Sequence, residues 1–183
     1  MKNRIKIYLD MDGVLSDFQT AYKQYEAQDA EMEGEIENIE TFERAINEDV
    51  YRNLEFMPNG FMLFYSLRRI QKEFENILDV EMLTSTGTVR IPHMTEKVIE
   101  QKKAWLEERE INFPFNYAVN KIAKAKFASP YSILIDDKQG CIRPFEEAGG
   151  RGVLYQDSSK DACLHAIERE FTYMMYRMLT EKV

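Results

Sequence analysis

Cysteine and histidine are almost missing from this chain, and each scarcity excludes something. Cys141 and Cys163 are the only two cysteines in 183 residues. Two thiols do not make a disulfide-stapled scaffold, and they read as reduced side chains of an intracellular protein. His93 and His165 lie far apart with no ligand partner nearby in sequence, so neither is assigned a role. Positive charge is also in deficit. The chain has 24 Lys and Arg against 32 Asp and Glu, a net charge of −8. That balance argues against stable nucleic-acid binding and leaves room only for a local basic patch. Long apolar runs are lacking too: nothing approaches the roughly 20 apolar residues of a membrane helix. The opening "MKNRIKIYLDMDG" is basic but has no apolar stretch of signal-peptide length before Asp10. The expectation is a soluble, cytoplasmic protein with no membrane partner. No internal repeat is visible.

What is present is material for a core, with 44% apolar and 12% aromatic residues. That suits one domain with a small appended subdomain. Ile5, Ile7 and Leu9 alternate as in a strand, and the run ends at Asp10 with Gly13 close behind. Helical spacing follows in Phe18, Ala21, Tyr22 and Tyr25. A second helix is expected in "TFERAINEDVYRNL" with Thr41 as its N-cap, and a third in "FMLFYSLRRIQKEF" after a turn at "MPNG". "ILDVEMLTS", "FNYAVN", "YSILIDD" and "GVLY" read as further strands. "TEKVIEQKKAWLEERE", "KIAKAKFA" and "CIRPFEEAGG" are helical pieces between them. On the C-terminal helix, Leu164, Ile167, Phe171, Met174 and Met178 share a face that reads as core or subunit contact, which leaves a homodimer open. Strands alternating with helices imply an α/β parallel sheet with right-handed crossovers, and ligands bind at the carboxyl ends of such strands.

Three strands end in chemistry: "YLDMD", "MLTST" and "LIDDK". A phosphate monoester repels an anionic nucleophile unless a cation neutralises it. Mg2+ binds through one or two carboxylates together with phosphate and water. Asp10 and Asp136, at neighbouring strand ends, could supply those carboxylates, and Asp10 could attack phosphorus. Asp12, two residues on and before the turn at Gly13, is the natural general acid and base. Thr84 and Ser85 offer donors to phosphoryl oxygens, and a lysine of "NKIAKAKF" would offset the remaining charge. Each piece also has a bland reading. Asp-Gly is commonly a turn, Asp136 and Asp137 could cap a helix, and so could Thr84 and Ser85. Lys121, Lys124 and Lys126 could form an exposed face, Asp17 fits a helix cap, and "GGRG" fits a turn.

The chain resembles the haloacid dehalogenase (HAD) superfamily in "IYLDMDGVLSDF", "LTS" and "LIDD". Within it, the chain is similar to the 5′(3′)-deoxyribonucleotidases and their bacterial and viral relatives, through "DMDGVLSDF", "LEFMPNG", "LTST", "EKVIEQKKAWLEE" and "ILIDDK". The resemblance runs between residues 5 and 155 and is weakest over 26–50. It implies a HAD-like doubly wound sheet, with residues 1–17 and 79–183 as core and 18–78 as a helical cap inserted after the first strand. It further implies an Mg2+-dependent phosphatase of (deoxy)nucleoside monophosphates working through an aspartyl-phosphate. Asp10 would be nucleophile and metal ligand, and Asp12 the acid/base lending its backbone carbonyl to the metal. Thr84 and Ser85 would bind phosphate, Asp136 would complete the metal site, and Asp137 would support it. The lysine of the third motif is Lys124 or Lys126, and Lys124, nearer the strand end, is taken. Phe18 would form one wall of an aromatic substrate cage, with Tyr51 or Phe56 as another. Ile122 stands near the place of a family arginine, and Arg90 could replace a missing lysine, so base preference stays open. The alternatives are a HAD phosphatase acting on a nucleic-acid 3′-phosphate or a phosphosugar, and a non-catalytic HAD-fold binding protein.

Overall fold

The computed structural model describes residues 4–31 and 38–180. Five strands, β1 (Ile5–Leu9), β2 (Leu78–Ser85), β3 (Phe115–Ala118), β4 (Ser132–Asp136) and β5 (Arg151–Leu154), form one sheet. The sheet order is β3-β2-β1-β4-β5 and every pairing is parallel. The helices are α1 (Phe18–Glu31), α2 (Asn38–Asn47), α3 (Gly60–Glu73), α4 (Thr95–Glu108), α5 (Gln139–Glu147) and α6 (Lys160–Thr180), with short 3-10 turns between some of them. This is an α/β fold in which α1 and α2 form a helical insertion after β1.

β1 is buried at every position but Lys6 because it sits at the centre of the sheet with helices on both faces. Ile5, Ile7 and Leu9 join the larger core with buried residues of α3, α4 and α6. Tyr8 faces the other way, into a smaller cluster with Leu83, Leu134 and α5 residues Cys141, Ile142 and Phe145. On α6, Ile167, Phe171 and Met174 are buried, and Leu164 and Met178 pack against the same core. The C-terminal stripe is therefore core.

The strand order reverses between β1 and β4. Parallel strands cannot follow each other without a crossover, so the loops leaving β1 and β4 part in opposite directions and open a crevice there. The register sets Leu9 opposite Ile135, so one step further Asp10 stands beside Asp136.

One expected boundary is corrected. Thr41 does not cap α2 but lies inside it, buried, with its hydroxyl donating to the Asp29 carboxylate of α1. A buried threonine hydroxyl takes whatever acceptor a neighbouring helix brings to it, and here that outweighs the capping preference. Asp17 does cap: its Oδ1 accepts from the Thr20 N–H at 3.0 Å at the start of α1.

Candidate active site

β1 ends in a tight turn. The Met11 carbonyl accepts from the Leu15 and Ser16 N–H groups, and Gly13 adopts φ +80°. A Cβ on Gly13 would stand 2.5 Å from Asp137 Oδ2. Only glycine relieves both the positive φ and that approach, and so the β1 and β4 loops can close on each other.

Asp10, Asp136 and Asp137 meet at this closure, with carboxylate oxygens within 4.8 Å of one another. Lys124 lies beneath them, fully buried, with Nζ 2.8 Å from Asp10 Oδ1 and 2.6 Å from Asp136 Oδ2. It comes from the 3-10 helix Ile122–Phe127, on which Lys126 is exposed. Asp136 also accepts from the Lys138 N–H at 2.9 Å, and Asp137 pairs with Lys138 Nζ at 2.6 Å.

Burial and the charge on Asp10 push the Asp136 carboxyl up to about 7, against the pull of Lys124. Burial opposes the Lys124 charge, yet Asp10 and Asp136 together outweigh it and raise its pKa. Burial also raises Asp137 despite Lys138. Asp137 Oδ1 is buried without a hydrogen bond, and Asp10 Oδ1 has only the Lys124 ammonium at 2.8 Å. A buried carboxylate oxygen without a donor is costly, and three carboxylates against two ammonium groups, Lys124 and Lys138, leave negative charge uncompensated. Opposite corners of a Mg2+ octahedron are about 4.2 Å apart, so the spacing and the hard oxygen donors suit such a cation.

Asp12 stands outside this triad. Its Oδ2 accepts from Lys102 Nζ and its Oδ1 from Ser16 Oγ at 3.2 Å. Burial raises the Asp12 pKa, with Lys102 opposing and Asp10 adding. Lys102 also donates to Thr84 Oγ1 at 2.9 Å. Thr84 is thus fully buried against α4, while the next residues, Ser85 and Thr86, line the open cleft.

That cleft holds about 270 Å3 and is bounded by Asp10, Asp12 and Asp137 on one side and Phe18, Phe42 and Tyr51 on the other, with Lys121 and Lys138 also lining it. A larger hollow of about 430 Å3 adjoins it through Phe18, Phe42 and Gly87, and Tyr22, Ile39 and Arg90 help to enclose it. The rings form a ladder. Phe18 stacks on Tyr22 at 5.3 Å and on Tyr51 at 4.9 Å, and Phe42 stands edge-on to all three. A flat base between two rings needs them about 7 Å apart, twice an aromatic contact distance, so Phe18 and Tyr51 do not flank a slot in this arrangement. Phe56 turns the other way, onto Trp105 at 5.0 Å.

No protein-family model matches the chain, and no curated protein sequence does. A solved structure of a haloacid dehalogenase-like family hydrolase from Streptococcus pneumoniae superposes with a TM-score of 0.52 at 12% identity, over 83% of this chain and 84% of that one. The fold is haloacid dehalogenase-like. A HAD-hydrolase from Bacillus subtilis, YfnB, described as bound to magnesium, aligns at a TM-score of 0.46 and 15% identity over 82% of this chain and 86% of that one. At these identities the likeness is one of fold.

Within the HAD-like frame, Asp10, Asp12, Ser85, Phe18, Lys124, Asp136 and Asp137 converge from five segments of the chain. Sequence reasoning passed over Lys102 as a functional residue. The only signal was a lysine within the apolar stripe Val98, Ile99, Trp105 and Leu106, where it is as buried as its neighbours. Cys141, which also lines the cleft, was likewise without a role. Burial and the nearby carboxylates raise its thiol, with only Lys124 opposing, which favours the protonated form. Both cysteines are free. Among the described residues, no helix is long and apolar enough to cross a membrane.

Proposed function

We propose that this protein is a Mg2+-dependent phosphoric monoester hydrolase acting on (deoxy)nucleoside monophosphates. The observation that carries the reading is the pairing of Asp10 with Asp136 across the strand-order reversal. Lys124 lies beneath them, and an oxygen of the adjoining Asp137 is buried without a hydrogen-bond donor. A purely structural cluster would match its buried carboxylates with donors, and this one does not.

Asp10, Asp136 and Asp137, with the Asp12 backbone carbonyl, would hold the metal. When bound, the metal neutralises phosphoryl oxygens and lets an anion approach them. Asp10 attacks phosphorus as the ester P–O bond breaks, and Asp12 hands its proton to the departing oxygen. Asp12 then takes a proton from water, which attacks the phosphorus of the Asp10 acyl phosphate and releases inorganic phosphate and free Asp10. Ser85, which lines the cleft, would steady the phosphoryl charge by contact, and Lys124 and Thr84, buried behind it, through Asp10 and Lys102. Within residues 18–78, α1 and α2 would act as the cap, excluding water and bulky substrates, while α3 packs on the sheet as part of the core. Phe18, Phe42 and the adjoining hollow favour a flat, partly apolar leaving group, which is why a nucleoside is preferred to a sugar.

The test measures phosphate release from dNMPs, NMPs, a 3′-phosphorylated oligonucleotide and sugar phosphates, with Mg2+ and with EDTA. Mononucleotides should turn over with Mg2+ and stop with EDTA. Asp10→Asn should lose at least about a thousandfold in kcat while still binding phosphate. Inertness of the wild type on every ester would leave a binding protein, and near wild-type turnover by Asp10→Asn would remove the covalent step.

A further inference from the structure

We propose that Lys102 is a positioning residue that acts through Asp12, holding the proton-transfer carboxylate beside Asp10. The proposal rests on the phosphatase reading above. Lys102 belongs to α4, a helix that otherwise packs Val98, Trp105 and Leu106 into the core. Its side chain is wholly buried and its ammonium meets groups from three other parts of the chain. Asp12 Oδ2 comes from the turn after β1, Thr84 Oγ1 from the end of β2 at 2.9 Å, and the Tyr51 ring from the segment after α2 at 4.4 Å.

A buried ammonium is tolerated only where such partners surround it, and each partner is thereby held in turn. Ser16 Oγ takes the other Asp12 oxygen. Lys102 thus supplies the main restraint on the carboxylate, because Ser16 divides its one hydroxyl hydrogen between Asp12 Oδ1 and the Met11 carbonyl. The two buried lysines divide the carboxylates between them: Lys124 pairs with Asp10 and Asp136, and Lys102 with Asp12. Lys102 does not line the cleft, so its effect on an ester must pass through Asp12 or Thr84 rather than by contact. Tyr51 does line it, so Lys102 also ties the aromatic wall to Asp12.

The test separates this role from plain structural support. An alkyl leaving group needs a proton as it departs, whereas p-nitrophenolate does not. With Mg2+, kcat/KM is measured for a nucleoside 5′-monophosphate and for p-nitrophenyl phosphate, on the wild type, Lys102→Met, Asp12→Asn and the double variant. Lys102→Met should lose about tenfold or more on the alkyl ester beyond its loss on the aryl ester. In the Asp12→Asn background the same substitution should change kcat/KM by less than about twofold. Equal losses on both esters, or a full further loss in the Asp12→Asn background, would overturn the proposal. Thermal unfolding reports whether each variant folds. If Lys102→Met does not, Lys102→Gln is judged by the same criteria. A wild type inert on both esters would overturn the phosphatase reading itself, whatever the variants do.

Discussion

At the turn after β1, one glycine sets how closely the two acidic loops approach. Gly13 combines φ +80° with a Cβ position 2.5 Å from Asp137 Oδ2. Gly13→Ala should therefore cost about 1–3 kcal/mol of stability through backbone strain and displace Asp137. The denaturant midpoint should fall, and the stabilisation that Mg2+ adds should fall with it. An unchanged Mg2+ response would mean that Asp137 has no part in holding the ion. Much of the residue-scale chemistry was legible, because D-x-D-G after an apolar strand places two carboxylates and a turn within four positions. Lys102 was not legible. A lysine in an apolar stripe is ordinarily a side chain whose charged end reaches solvent, and only the facing Asp12 and Thr84 explain one that stays inside.

Among the elements, the short 3-10 helix Ile122–Phe127 decides between two lysines. With about three residues per turn, positions two apart point to different sides and positions three apart to the same one. Lys124 therefore turns inward, Lys126 outward, and Lys121 returns to the cleft side. Spacing counted along the sequence does not choose, because the choice depends on where the helix starts. The insertion has its own buried junction. Asp29 of α1 pairs with Arg44 and accepts from Thr41, both on α2. Asp29→Ala should leave both partners unmatched and loosen α1 from α2 at a cost of about 1–3 kcal/mol. Amide exchange should quicken across α1 and α2 while β1 and β4 keep their protection. Exchange that rises equally in the sheet would show that the insertion and sheet unfold as one unit.

For the molecule as a whole, the convergence of buried acids links stability to pH. Asp136 has its folded pKa raised to about 7, so the native state binds more protons than the unfolded chain between about pH 4 and 7. Its contribution is fully present below that window and is lost as pH rises through it. Asp12 and Asp137 are shifted in the same direction. Without divalent cations the chain should therefore lose stability as pH rises from about 5 to 8. A cation needs the ionised carboxylates, so the Tm gain from Mg2+ should be small at pH 5 and grow towards pH 8. Thermal melts across that range, with and without Mg2+, check both signs. A gain that does not vary with pH would contradict the carboxylate triad as the binding site.

By itself, the sequence determined the strands, their parallel pairing through intervening helices, and the acids that end β1 and β4. Alternation, apolar runs and turn residues are local properties that the chain carries before it folds. Three-dimensional packing alone decided which lysine lies under Asp10 and Asp136, what Thr41 bonds, why Phe18 and Tyr51 stack on each other, and that Lys102 holds Asp12. Those outcomes depend on partners 12 to 114 residues away, whose distance and desolvation exist only once the sheet and its covering helices have closed.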